Sequence, residues 1–215
     1  MCYQTRLIKK KEELQERFRV NVEDLLHIEE LELNKAFEYP ETPIITNKNP
    51  EKISMYNWGL VPEWAGDTSF RHYTLNARIE TLDEKPSFKD VVQNRCLIIA
   101  DGFYEWQWLN KSGSKKQKYE ITLPNQELFA FAGLYTQWTD DTGDVLQSYA
   151  MVTTQANDLM SKIHNTKQRM PIILNRQDEH AWLNGNDYKK YKFPYSQNLI
   201  ATPIDVNPSG QLGLF

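Results

Sequence analysis

The stretch Arg95-Cys-Leu-Ile-Ile-Ala-Asp-Gly-Phe-Tyr-Glu-Trp-Gln-Trp-Leu109 decides how this chain folds. Arg95 to Ala100 is a short apolar run with β-branched residues, the pattern of a buried strand. After Asp101-Gly102, Phe103 to Leu109 reads as a second strand, rich in aromatic residues. Working outward, strands are predicted downstream at Lys118 to Leu123, Leu128 to Trp138, Gln147 to Thr154 and Arg169 to Leu174. Upstream they are predicted at Cys2 to Ile8, Pro43 to Thr46 and Ile53 to Leu60. The turns between them carry Asn110-Lys-Ser-Gly113, Pro124-Asn125 and Asp140-Asp-Thr-Gly143. Helices are fewer: Lys9 to Arg19, with Leu14 and Phe18 four apart on one face, then Ser87 to Gln93, Ala156 to Ile163 and Arg176 to Leu183. With no internal repeat and no low-complexity linker, residues 1–215 read as one α+β domain. Its expected centre is a mixed, mostly antiparallel and partly closed sheet or barrel, with helices at the periphery.

Composition excludes several functional classes. The chain has 215 residues, 40% hydrophobic and 25% charged, ordinary for a globular protein. No run approaches the roughly 18 apolar residues of a membrane span. The basic stretch after residue 8 is not followed by an apolar h-region, so no secretory start is read and a cytoplasmic protein is expected. Cys2 and Cys96 alone make no disulfide scaffold, and four scattered histidines give no zinc spacing. No metal or organic cofactor is implied. A formal charge of −4 argues against coating duplex DNA by bulk electrostatics, but leaves room for a local basic groove. Acidic residues gather at Glu29, Glu30, Glu32 and Glu38; basic ones at Lys9 to Lys11, at Lys115, Lys116 and Lys118, and at Lys167 with Arg169. Aromatics reach 12%, with six tryptophans, which serve either a bulky core or base-stacking platforms.

Four places set polar groups where a plain strand would not. Asn76, Arg78 and Glu80 alternate, and so share one face if that segment is extended. Glu105 stands among Phe103, Tyr104 and Trp106; a carboxyl group walled by rings loses hydration and becomes a proton donor near neutral pH. His164 precedes Arg169-Met-Pro171, while His27, His72 and His180 belong to no such group. Cys2 is the fourth place. If Met1 is removed, Cys2 carries an α-amine and a thiol on adjacent carbons, a pair no internal cysteine possesses. Cys96 instead reads as a small buried hydrophobe.

Trp58-Gly-Leu-Val-Pro-Glu-Trp64, Asn76-Ala-Arg-Ile-Glu-Thr81, Arg95 to Trp106, Thr153-Thr-Gln-Ala-Asn157, and His164 with Arg169-Met-Pro171 follow one another with Cys2 at the start. In that order they resemble the SRAP family, the SOS response-associated peptidase proteins that crosslink to abasic sites in single-stranded DNA. The similarity runs from Cys2 to about Asn207. It implies an SRAP-type domain whose Cys2 captures the aldehyde of the lesion as a thiazolidine once Met1 has been removed by the protein itself. It implies catalytic roles for Cys2, Asn76, Glu105 and His164, and DNA contacts for Arg78, Arg169, Trp64 and Trp106. The expected partner is single-stranded DNA containing abasic sites, bound by a monomer. Trp58 is assigned to the core, and for Trp106 burial beneath Glu105 is an equal alternative.

Two departures from the family pattern stand out. The family commonly begins Met-Cys-Gly-Arg, whereas this chain reads Met1-Cys-Tyr-Gln4 and so lacks that arginine charge. The family usually has one residue between the histidine and Arg-Met-Pro, whereas this chain has four, Asn165 to Gln168. Two other functions use the same residues. Cys2, His164 and Glu105 would serve a thiol peptidase acting on other proteins. Arginines and aromatics alone would serve a non-covalent single-strand binding module, for which Cys2 is dispensable.

Overall fold

In the computed structural model, residues 2–22 and 33–205 are described. Met1, His27 and the acidic Glu29, Glu30 and Glu32 lie outside the described residues. Twelve strands follow in chain order among these residues: β1 (Gln4–Arg6), β2 (Asn34–Lys35), β3 (Glu41–Thr46), β4 (Asn49–Trp58), β5 (Asn76–Arg78), β6 (Arg95–Ala100), β7 (Gly102–Trp108), β8 (Lys116–Thr122), β9 (Phe129–Thr139), β10 (Val145–Gln155), β11 (Arg169–Pro171) and β12 (Ile200–Ile204). The helices are α1 (Lys11–Phe18), α2 (Asp158–Ile163) and α3 (Arg176–Leu183), with several 3₁₀ turns.

Strands β10, β4, β3, β6 and β9 form a continuous hydrogen-bonded series, and β9 pairs back onto β10 to close a five-stranded barrel. The β10–β4 pairing is parallel and the others antiparallel, so the barrel is mixed. Beyond Met151, β10 exchanges partners and takes on β5 and β11. An open antiparallel sheet, in the order β12-β8-β7-β1-β2, stands beside it.

Every residue of β6 is buried, and alternation divides them between two cores. Leu97 and Ile99 join a cluster with Leu14 of α1 and Trp182 of α3. Cys96, Ile98 and Ala100 join another with Cys2, Phe103 and Ile121 of the open sheet. The second cluster locks the sheet to the barrel and seats Cys2 at their junction. Gly133 permits the close approach of β9 to β6, since a Cβ there would lie 2.6 Å from the Cys96 sulfur.

The start of the chain is held by a buried ionic cluster. Arg6 donates from Nε to Asp101 Oδ1 at 2.8 Å, and the Ile8 N–H donates to Oδ2 at 2.8 Å. Arg6 also pairs with Glu120. Asp101 is fully buried, so removing its carboxylate leaves the Arg6 charge with Glu120 alone and the Ile8 N–H without its acceptor. Asp101→Ala is expected to cost about 1.5–3 kcal/mol, measured by urea unfolding, because buried hydrogen bonds to a charged group are lost.

Three expectations require correction. The helix over Ser87 to Gln93 is reduced to one 3₁₀ turn, Lys89–Val91, because Phe88 leaves the helical region at φ −126°. Two adjacent β-branched residues, Val91 and Val92, add nothing to hold a longer helix. Asn76, Arg78 and Glu80 do not share one extended face. The strand ends at Arg78, and Ile79–Thr81 turns as 3₁₀. The strand over Arg169 to Leu174 is regular only to Pro171, although Ile173 still bridges to Phe131. Among the described residues no helix is long and apolar enough to cross a membrane.

Candidate active site

Cys2 leads into β1, which pairs with β7 in a register that sets Gln4 opposite Tyr104. Its side chain is fully buried and its Sγ lies 3.7 Å from the Gln4 carbonyl oxygen. Burial, with a smaller contribution from the nearby Glu105 charge, pushes the thiol well above its ordinary range and keeps it protonated. Asn76, at the head of β5, donates from Nδ2 to the Cys2 carbonyl at 3.0 Å. The Asn76 Oδ1 is buried without a hydrogen-bond partner among the described residues, so an acceptor stands beside Cys2.

Glu105 is in the middle of β7 and 5% exposed. Alternation sends Phe103 and Glu105 inward while Tyr104 and Trp106 remain half-buried. Desolvation raises the Glu105 carboxyl from its ordinary 4.5 to about 7. Near neutral pH it therefore exists in both forms and can give or take a proton.

His164 ends α2, which Asn157 caps by accepting the Met160 N–H. The four residues beyond it form a tight turn, closed by the Gln168 N–H donating to the His164 carbonyl at 2.9 Å, with Gln168 at φ 50°. That turn brings the Arg169 backbone onto the imidazole, with His164 Nδ1 2.8 Å from the Arg169 carbonyl oxygen. The Arg169 N–H also approaches Nδ1, at 3.2 Å, so the Arg169 backbone holds this nitrogen from both its amide and its carbonyl. Burial pushes His164 down from 6.5 to about 4, hence neutral at physiological pH. The extra residues do not displace this histidine; Asn165 fastens the turn by accepting the Trp108 N–H at 3.1 Å and donating to its carbonyl at 2.9 Å.

Glu105, His164, Tyr3 and Trp106 line one cleft of about 390 Å³, which also touches Trp108, Lys116, Thr166 and Lys167. A second groove is lined by Tyr3, Gln4, Lys35, Phe37, Glu38 and Tyr104, with Glu105 and Trp106 again at its wall. Two sequence-distant segments thus converge on Glu105, while Cys2 lies fully buried and lines neither space. Trp106 borders both spaces and is half-buried rather than covered.

The other expected DNA contacts divide. Arg78 is exposed, and among the described residues no carboxylate pairs with it. Arg169 is 9% exposed and its guanidinium grips Glu80 at 2.9 and 2.8 Å, with a further donation to the Thr153 carbonyl at 2.8 Å. Glu80 therefore partners Arg169, not its neighbour Arg78, because the 3₁₀ turn carries it toward β11. Trp64 is half-exposed, packs edge-on against Phe70 and is not among the residues lining the Glu105 cleft. Trp58 and Cys96 are fully buried. Sequence reasoning missed Tyr3, Trp108 and Thr166 as cleft residues. The alternation of Trp106 and Trp108 along one strand was the available signal for the second of these.

Comparison with known proteins identifies relatives of this chain. Residues 1–207 match the family model described as SOS response associated peptidase (SRAP). "Abasic site processing protein YoqW" of Bacillus subtilis (strain 168) is 41% identical over 165 residues, covering 76% of this chain and 70% of that protein. "Abasic site processing protein HMCES" of Xenopus tropicalis is 31% identical over 156 residues, 61% of this chain but only 45% of that longer relative. A crystal structure of a Bacteroides thetaiotaomicron protein superposes with a TM-score of 0.84 at 30% identity, covering 95% of this chain and 92% of that one. With its site residues gathered on this fold and the family match running through nearly all of its length, the chain belongs to the SOS response associated peptidase (SRAP) family.

Proposed function

We propose that this protein processes abasic sites in single-stranded DNA by joining them covalently to Cys2, after Met1 has been removed. The observation that carries the reading is the convergence of Cys2, Asn76, Glu105 and His164 from four separate parts of the chain, with Asn76 bonded to Cys2 and the other two facing one cleft. Relatives named abasic site processing proteins support the substrate class.

The chemistry follows from the groups present. The ring-opened abasic sugar offers an aldehyde. The Cys2 α-amine adds to that carbon, forming a C–N bond, and the carbinolamine hydroxyl leaves as water with a proton from Glu105. The Cys2 thiol then adds to the same carbon, forming a C–S bond while its proton passes to nitrogen. The product is a five-membered thiazolidine and one water, with no change of oxidation state. A thiol kept protonated by burial suits this second role better than that of a free thiolate attacking a peptide. His164, neutral at physiological pH, hydrogen-bonds the sugar. For Met1 removal, Glu105 in its ionised form activates the attacking water. Single strands suit the reaction, since an unpaired lesion is already unstacked.

The test is to incubate the protein with a single-stranded oligonucleotide carrying one abasic site and to run a denaturing gel, alongside an intact-mass measurement. A retarded, heat-stable band and a mass lacking methionine are expected. Absence of the band, or retained Met1 in protein that crosslinks, contradicts the reading.

A further inference from the structure

The basic groups at Lys115 to Lys118 and at Lys167 are far apart in sequence, and neither has a place in the chemistry above. The fold unites them. The β7–β8 hairpin pairs Trp108 with Lys116, and Asn165 of the turn after His164 is hydrogen-bonded to both backbone groups of Trp108. Lys116 and Lys167 consequently stand on the same cleft as Glu105 and His164. Both are exposed, and among the described residues neither has a carboxylate within ion-pair distance. Lys116 Nζ instead lies 5.1 Å from the centroid of the Trp108 ring. That ring is backed by Gly113, where a Cβ would lie 2.6 Å from it, and is 36% exposed. An exposed ring held from behind, two residues along the strand from Trp106, lies about 7 Å further along β7 at roughly 3.3 Å rise per residue.

We propose that Trp108, Lys116 and Lys167 form a subsite for the nucleotide next to the lesion. Its base stacks on Trp108, and its backbone phosphate lies between the two ammonium groups. The inference rests on the reading of the substrate as single-stranded DNA and deepens it. The occupant is argued from charge and shape: two unpaired cations flank an aromatic surface in a cleft that opens from the reacting groups. This is the combination that binds single strands without sequence preference. The lengthened segment Asn165 to Gln168 then has a purpose, since Lys167 and the clamp on Trp108 both belong to it.

The experiment compares wild type with the double charge reversal Lys116→Glu/Lys167→Glu, and Trp108→Ala with Trp108→Phe. Affinity for an undamaged single-stranded oligonucleotide is measured against salt, and crosslinking is measured at limiting and saturating abasic DNA. The double reversal is expected to lower the salt slope by about 0.7, the value for one phosphate contact on a single strand. It should slow crosslinking at limiting DNA more than tenfold, yet leave the saturated rate unchanged, because Cys2 and Glu105 are untouched. Trp108→Ala should lose about tenfold in affinity and Trp108→Phe most of that back, as expected for stacking. Removing the nucleotides on one side of the lesion, but not on the other, should erase the difference between wild type and variants. Unchanged affinity and slope, or a lowered rate at saturating DNA, overturns the subsite. A wild type that forms no crosslink at all overturns the substrate reading instead.

Discussion

Cys2→Ala is expected to abolish the heat-stable band formed with an abasic single strand, the largest effect of any single substitution in this chain. The variant, checked by intact mass to lack Met1, keeps its α-amine and still forms an imine with the aldehyde. Without sulfur on the adjacent carbon the ring cannot close, and the imine hydrolyses. Borohydride added during the reaction should therefore restore a covalent band to Cys2→Ala by reducing the imine to an amine. A gel-stable band in Cys2→Ala without reductant would place the linkage on another residue. Loss of folding does not explain the expected result, because undamaged-strand affinity should persist. The substitution removes one sulfur from a fully buried position, a cost of about 1 kcal/mol at the scale of a buried methylene group.

The second large effect belongs to Glu105. Glu105→Gln is expected to slow crosslink formation about 10²–10⁴-fold, the range attributed to a positioned acid or base. It should leave non-covalent binding intact, since the amide keeps the size of the carboxyl. The pH dependence separates proton transfer from mere shape. With a carboxyl at about 7, the wild-type rate that depends on the protonated acid should fall as pH rises through 7, and the glutamine variant should not follow that fall. The same group has a stability signature. Its folded-state pKa is raised, so the folded protein binds this proton more tightly than the unfolded chain. The penalty is absent below about pH 4.5 and complete above about pH 7. Glu105→Gln should therefore be more stable than wild type by up to about 3 kcal/mol at pH 8, with the gain vanishing at pH 4.5, by urea unfolding. Equal stability at both pH values, with an unchanged pH–rate profile, would remove Glu105 from the acid–base role. His164 has the opposite sign: neutral when folded, it disfavours the fold as pH falls from 6.5 through about 4.

Much of the fold was legible in the sequence because its strands are long enough for apolar alternation to mark them. Arg95–Ala100 is observed at its expected limits, and β7, β8, β9 and β10 deviate by only a residue or two at their ends. The failures fall where the signal is local and weak. β12 contains Pro203, which reads against a strand, but it lies on a sheet edge where only one side needs partners. β2 has two residues and exists because Gln4 and Thr5 are there to pair with. The turn after α2 looked like a disturbance in the sequence; its closure onto His164 needs the folded positions of Trp108 and Arg169.

The sequence by itself determined the β-rich class, the aromatic surroundings of Glu105, and the uniqueness of Cys2, because these depend on local pattern and on the chemistry of one residue. Only the tertiary structure decided what each cation does. Arg169 and Arg78 are alike as letters, yet one is committed to Glu80 and the other faces solvent, because a single 3₁₀ turn redirects Glu80 toward β11. Likewise Lys116 and Lys167 share a cleft only because β7 is hydrogen-bonded to the turn after α2. Charge on a side chain is written in the sequence. Whether that charge is neutralised or offered to a ligand is set by which distant carboxylate the packing brings within reach.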